Sequence, residues 1–501
     1  MGFFFKNKMF SGNKDSDKNS ADDKISSDIE KIKSFFNEKY SESADIVKRS
    51  FIKNKDRLPC FIVYIDGVVE KETIQRFIIT PLMEDEKKEA KEVLEKIITA
   101  SEVSEVSSLK KAVENMHAGD TLLFIDGQTE AIVISTRSWN SRSLSPSSNE
   151  SSVRGPKESF VETIRSNTAL LRKKIQSDNL VIKHITVGSV SRTSVAVSYL
   201  QGKVNSELVD EITDKISKSE IEILSDSGQL ERLLEHSSSS LFPQMQNTER
   251  PDKVAFELPK GKVAIIVDGS PFVLIIPSSF ENFLQIPEDY YDRFAISTFL
   301  RSLRLLSCLI AVFAPAIYIS MICFNTRSLP TRLALAIAAN RANVPFTAII
   351  EALLMEITIE LVREAGIRLP SPVGQSIGIV GGIVLGDATI SSGLTSSSMV
   401  VVVALTSMAS FAIPSYSMSS ALRLLRFAVM IAASIFGVYG IVLSFIVINV
   451  HMARLRSGDR YLSLQSETSD SADNIIYIPR KIFKIPPEYQ KSLDNFLLGE
   501  K

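Results

Sequence analysis

Ala348–Ile367 reads Ala-Ile-Ile-Glu-Ala-Leu-Leu-Met-Glu-Ile-Thr-Ile-Glu-Leu-Val-Arg-Glu-Ala-Gly-Ile. As a helix it stacks Glu356, Glu360 and Glu364 at i, i+4 and i+8 on one face. Ile350, Leu353, Leu354, Ile357 and Leu361 cover another. A carboxylate at mid-bilayer costs about 2.5–3.5 kcal/mol on insertion scales, so three ionised ones need water or partners. Two placements meet that need. One is an amphipathic helix in the membrane interface with its carboxylates in water. The other lines an aqueous path, where several subunits together form acidic rings that attract cations. Asp387 is the second acidic candidate. It follows Gly381, Gly382 and Gly386 and precedes Ser391-Ser392-Gly393. That setting suits a broken or re-entrant segment whose freed backbone lines a cavity, with Gly381, Gly382 and Gly386 as hinge or helix-break positions. A hydrogen-bonded structural aspartate is the plainer alternative.

These carboxylates matter only if their surroundings are membrane, and the charge pattern says so. No Asp, Glu, Lys or Arg occurs from Leu305 to Thr326 or from Phe427 to Ala453, and Asp387 stands alone between Arg368 and Arg423. A hydrocarbon core about 30 Å thick needs about 20 apolar residues as helix. The first two windows meet that length. Ala388–Leu422 holds one further span, and Leu369–Gly386 is a weaker or re-entrant one. The expected architecture is therefore a water-soluble part to about residue 300, then an all-α polytopic membrane domain over 301–453 with about four spans, then a tail over 454–501. Met1–Lys6 is too short an apolar run for a signal peptide, which leaves the soluble part in the cytoplasm. Arg293, Arg301 and Arg304 before the first span agree with that side, although Arg327, Arg332 and Arg341 follow it. Arg454, Arg456, Arg460 and Lys481 place the tail on the cytoplasmic side too.

The soluble part reads as α/β. Residues 1–50 are expected to be disordered or weakly helical, with polar residues dominating 7–24 and Ile25, Ile29, Ile32, Phe35 and Phe36 giving a faint helical period. Strands alternating with helices suggest one α/β subdomain over 51–140, a linker over 141–154 and a second subdomain over 155–300. An apolar strand ending in Ile/Val-Asp-Gly recurs at Ile65-Asp66-Gly67, Ile125-Asp126-Gly127 and Val267-Asp268-Gly269. The second and third read as hairpin turns, because glycine accepts positive φ and aspartate caps the turn. The Arg165, Arg172, Lys173, Lys174 cluster reads as a solvated helix face, with a membrane-surface or subunit contact as the alternative.

Composition removes other classes. The 501 residues carry 57 Lys plus Arg against 58 Asp plus Glu, a formal net charge of -1, which does not suit a nucleic-acid binder. Three cysteines and four histidines supply neither a disulfide framework nor a four-thiolate zinc site. No HExxH, CxxC, Walker loop or nucleophile elbow is present. No enzyme, cofactor or metal is expected.

Several stretches together resemble the A subunit of the GerA-type nutrient germinant receptors of endospore-forming bacteria. They include Arg154-Gly155-Pro156-Lys157-Glu158, Leu170-Leu171-Arg172-Lys173-Lys174-Ile175, Thr248-Glu249-Arg250-Pro251-Asp252 and Val267-Asp268-Gly269-Ser270-Pro271-Phe272. In the membrane half they include Glu364–Pro370 and Ile379–Ala388. The resemblance spans about residues 55 to 460. Lys157 and Ser397 depart from it, standing where an arginine and a proline are expected. It implies a receptor of the spore inner membrane that works with a transporter-like B subunit and a lipoprotein C subunit, and that self-associates into a ring-shaped, ligand-gated cation channel. Arg154, Gly155 and Pro156 would be signature contacts of the soluble part. Nutrient binding is assigned to the B subunit, and proteins encoded with spore ion and dipicolinate transport look alike. A non-conducting membrane scaffold and a secondary transporter using Asp387 are the alternatives, the latter without a visible internal repeat of membrane segments.

Overall fold

The computed structural model describes residues 23–53, 58–84, 102–138, 150, 154–368 and 386–462. The chain forms two compact units. The first comprises Met1–Asn149, Lys157–Leu233 and Thr248–Leu274, and the second Glu150–Pro156, Leu234–Asn247 and Ile275–Lys501.

Two five-stranded sheets share one plan. Strands β1 (Ile46–Ile52), β2 (Pro59–Ile65), β3 (Val103–Val106), β4 (Thr121–Ile125) and β5 (Ala131–Ile134) pair in the order β1-β2-β4-β5-β3, all antiparallel. Strands β6 (Leu180–Val187), β7 (Thr193–Leu200), β8 (Gln246–Thr248), β9 (Val263–Val267) and β10 (Val273–Ile276) pair in the order β6-β7-β9-β10-β8. Position for position the two orders are the same. Helices α1 (Ile29–Lys39) and α2 (Leu109–His117) accompany the first sheet. Helices α3 (Ile164–Lys174), α4 (Ser206–Ser217), α5 (Ser227–Leu234) and α6 (Pro251–Glu257) accompany the second.

The recurring Asp-Gly now has a physical cause. After β4, Asp126 Oδ1 accepts from Ile29 N at 3.2 Å and Gly127 N donates to Ser27 O at 2.9 Å. After β9, Asp268 Oδ1 accepts from Ile164 N at 3.0 Å and Gly269 N donates to Glu162 O at 2.7 Å. In each sheet the turn that closes a hairpin also satisfies the open N–H end of a covering helix, where a carboxylate suits the helix dipole. Gly127 and Gly269 have φ of +84° and +89°, which a side chain would strain.

The first sheet begins at Ile46 rather than 51, and α1 belongs to its core, with Ile29, Ile32 and Phe36 buried against Phe61 and Phe124. The basic cluster of α3 is not a simple solvated face. Arg172 is buried and holds Asp45 through Nε at 2.6 Å and Nη2 at 3.0 Å. Arg165 holds Asp66 at 2.5 Å, and Gly67 leaves no room for a Cβ, which would stand 2.9 Å from Arg165 O. The turn after β2 is thus the seat on which the second subdomain's helix rests.

The second unit is helical: α7 (Phe294–Cys323), α8 (Thr331–Arg341), α9 (Ala348–Arg368), α10 (Ser397–Phe411), α11 (Tyr416–Phe436) and α12 (Val438–Arg454). Among the described residues α7 and α11 are long and apolar enough to cross a membrane, and α10 and α12 are shorter apolar helices. Helix α7 starts before the charge-free window because its arginines are paired. Asp289 accepts from Arg304 Nη1 and Nη2 at 2.7 and 2.9 Å and from Arg301 Nε at 3.2 Å. Two of the three basic side chains that flank this span thereby share one carboxylate, which offsets one of their charges. Helices α11 and α12 are separated by Gly437 alone, and a Cβ on Gly440 would lie 2.2 Å from Ala432 O, so this corner admits only glycine. The chain after α12 returns to the chain before α7: Ser278 N donates to Ser457 Oγ at 2.8 Å and Phe280 N to Leu462 O at 3.1 Å. The helical unit therefore begins and ends on one side.

Candidate functional site

Helix α9 carries the acidic candidates, and their surroundings change along it. Glu351, near its start, is buried and accepts from Ser396 N at 2.6 Å and Ser396 Oγ at 2.5 Å, at the N-cap of α10. Arg341 Nε stands 3.5 Å from its other oxygen. Glu356 is fully buried against Arg426 of α11. That guanidinium joins three helices: Nη1 donates to Glu356 Oε2, Nε to Ala311 O of α7 at 2.6 Å, and Nη2 to Ser410 Oγ of α10 at 2.7 Å. Glu356 Oε1 has no hydrogen-bond partner. Glu360 is half-buried between Arg363 at 3.3 Å and Arg423 at 3.4 Å. Glu364 is exposed.

The three glutamates expected on one aqueous face thus occupy three environments in the single chain. Glu356 is a neutralised internal pair, Glu360 lies at a rim of mixed charge, and Glu364 is exposed. Asp387 is exposed within the helical residues 386–391, and the positive-φ turn follows at Gly393 rather than at Gly386. Gly381 and Gly382 lie outside the described residues. Burial explains the pairing: a lone carboxylate or guanidinium in an apolar helix bundle is intolerable, whereas a hydrogen-bonded pair is retained. The partners Arg423 and Arg426 were missed in the sequence. Their signal was present, as two arginines three apart inside the otherwise apolar run of α11.

Arg154 of the signature segment donates from its backbone N to Glu288 at 3.2 Å and from Nη1 to Asp292 at 3.4 Å, on the stretch that leads into α7. Gly155 beside it has φ +118°, open only to glycine. In the first unit a cleft of about 370 Å³ is lined by charges of both signs, among them Lys39, Lys110, Glu114 and Asp178. His117 also lines it, bonded to Tyr40. Burial, and then the nearby Arg172, push the His117 pKa down to about 4, so the ring is neutral. Among the described residues no group of three or more His, Cys, Asp or Glu side chains converges as a metal ion would require.

Two α/β layers of repeated topology, continuing into a bundle of apolar helices stitched by buried arginine–carboxylate pairs, define a membrane-associated protein with a large polar domain. The comparisons name the family. The sequence signature of the Bacillus/Clostridium GerA spore germination protein covers residues 34–489. The chain is 40% identical to spore germination protein KA of Bacillus subtilis (strain 168) over 84% of its length and 78% of that protein's. It is 40% identical to spore germination protein A1 of the same strain over 88% and 92%, and 37% identical to spore germination protein B1 over 94% and 99%. The solved N-terminal domain of the A subunit of the Bacillus megaterium spore germinant receptor GerK3 aligns with 50% of this chain and 95% of its own. It does so at 30% identity and a TM-score of 0.40. This chain belongs to the GerA family of spore germination proteins.

Proposed function

We propose that this chain is the A subunit of a nutrient germinant receptor in the spore inner membrane, and that copies of it form a ring that conducts cations when germination is triggered. It would act beside a transporter-like B subunit and a lipoprotein C subunit, with both ends of the helical unit on the core side. The observation that supports this reading most is the graded acidity of α9. Buried carboxylates (Glu351, Glu356) fix the helix within the bundle, while Glu360 is half-buried between two arginines and Glu364 is exposed. A ring of such faces presents carboxylates to a shared water path and favours cations. Asp387, exposed on a neighbouring segment, would add to it. Glu356 would hold Arg426 and position the others rather than meet the ion.

Glu360→Gln tests this. Spores carrying the variant should accumulate the protein normally and release monovalent cations several-fold more slowly on triggering. Normal release with normal accumulation removes Glu360 from the path. The neutralisation of Glu356 and Glu360 by arginines favours a second reading, a non-conducting scaffold. Cysteine labelling along 350–366 separates the two: a water path labels one face of α9 in the assembled receptor, whereas a helix packed in protein or lipid does not label.

A further inference from the structure

The loop between α7 and α9 has the chemistry of a lipid-headgroup anchor, and we propose that α8, with Arg327 and Arg332, docks on anionic phospholipid headgroups. Every residue of α8 is at least partly exposed and none is buried. Leu335 is 66% exposed, Leu333 47% and Phe324, at the end of α7, 50%. No residue of this helix is fully buried and its leucines face outward, so the structure leaves it a neighbour to find. Its position supplies the neighbour. The first turns of α7 are bonded through Arg304 to Asp289 and Leu284, in the stretch to which the chain after α12 returns, and α8 follows the opposite end of α7. Phe324 packs there against Gly437, at the α11–α12 corner, so this end is where two apolar helices stop. That is the depth of headgroups.

Charge selects among the headgroups. Between Arg304 and Glu351 the chain carries Arg327, Arg332 and Arg341 and no Asp, Glu or Lys. Arg341 turns to Glu351, at 3.5 Å, and to Phe346 O, at 3.3 Å. Arg327 and Arg332 are exposed, and among the described residues neither meets a carboxylate. Arginine on the face remote from both ends of the unit opposes the usual distribution of basic residues about a membrane. An anionic headgroup offers these two guanidiniums bidentate phosphate acceptors, while the leucines and Phe324 enter the acyl boundary.

The inference rests on α7 and α11 crossing the bilayer, and the test keeps the two ideas apart. The full chain is labelled with a fluorophore at the exposed Cys323; Cys60 and Cys308 are buried. It is then reconstituted in phosphatidylcholine vesicles containing either phosphatidylglycerol or phosphatidylcholine with a headgroup quencher. The wild type should be half-quenched at a lower fraction of phosphatidylglycerol than of phosphatidylcholine. Each arginine should account for about fivefold of that preference. Excess inorganic phosphate should not remove it. Arg327→Gln with Arg332→Gln should abolish the preference, and the paired Lys variants should retain most of it. Quenching without lipid preference in the wild type, or a preference that survives the double Gln variant, overturns the proposal and points to a protein neighbour. Absence of quenching by either lipid contradicts the membrane reading itself.

Discussion

Removing one partner of the Glu356–Arg426 pair should cripple the helical unit, and removing both should not. Each side chain is at most 1% exposed, and Arg426 makes one contact to each of α7, α9 and α10. Glu356→Met leaves a guanidinium in the bundle with two neutral acceptors, Ala311 O and Ser410 Oγ. Stranding a buried charge in this way costs about 3–5 kcal/mol. For a unit of this size each kcal/mol moves the midpoint by about 2–4 °C, so the single variant should melt about 6–20 °C lower. Arg426→Met strands the carboxylate and should fall in the same range. The double variant replaces two charges by apolar side chains that can pack, an exchange that is often neutral or better, so its midpoint should return near the wild type. The assay is thermal unfolding of the full chain in a mild detergent, read as a double-mutant cycle in which the penalties of both single variants, about 6–10 kcal/mol together, are recovered as coupling. A Glu356→Met chain as stable as the wild type would refute the reasoning, as would a double variant no better than the worse single one. Ion release by spores carrying the stabilised double variant then isolates any role beyond structure.

Arg172→Leu should destabilise the first unit by about 3–5 kcal/mol, because Asp45 would lose both bonds at a site that is 3% exposed; an unchanged denaturant midpoint would show that the pair does not join the two sheets' helices. Gly440→Ala should sharply reduce accumulation in membranes, since its Cβ would stand 2.2 Å from Ala432 O. Gly127→Ala, where a Cβ meets nothing but φ is +84°, should cost only about 1–2 kcal/mol; equal expression of the two variants would contradict the close approach. Because burial holds the His117 pKa near 4 in the folded state, below its ordinary value of 6.5, the unfolded chain takes up the proton first as pH falls. Stability from this residue is full above pH 6.5 and is lost progressively toward pH 4, by about 3 kcal/mol in total. Acid unfolding of His117→Gln should lack that part of the slope, and parallel curves would show the ring to be solvated.

The sequence carried the α/β-then-helical division because apolar length and charge-free windows are local properties, readable residue by residue. The Asp-Gly turns at Asp126 and Asp268 were legible as turns for the same reason. Their second task, capping α1 and α3, was not, because Asp126 and Ile29 are 97 positions apart. The duplicated strand order was hidden for a related cause. It lives in which strands pair, and only fragments such as the repeated Ile/Val-Asp-Gly surface in the residues. Residues 46–50 form an edge strand that the sequence hides, because Lys48 reaches back to the carbonyls of Phe36 and Tyr40 at the end of α1, a contact made only in the fold.

The acidic helix shows the limit most clearly. Spacing alone put Glu356, Glu360 and Glu364 on one stripe, which is correct geometry for a helix. What a stripe does depends on what opposes it, and the opposing residues, Arg423 and Arg426, lie 63 and 70 positions away from the glutamates they meet. Arg423 and Arg426, three apart on α11, meet Glu360 and Glu356, four apart on α9, so two pairs form side by side along neighbouring helix faces. In the proposed ring, the exposed end of α9 would face the water path and the buried Glu356 would not. On that argument Glu364 should contribute more to cation selectivity than Glu356, although Glu356 is the more deeply placed. Charge removal at Glu364 should lower conductance without lowering the melting temperature, and the reverse should hold at Glu356.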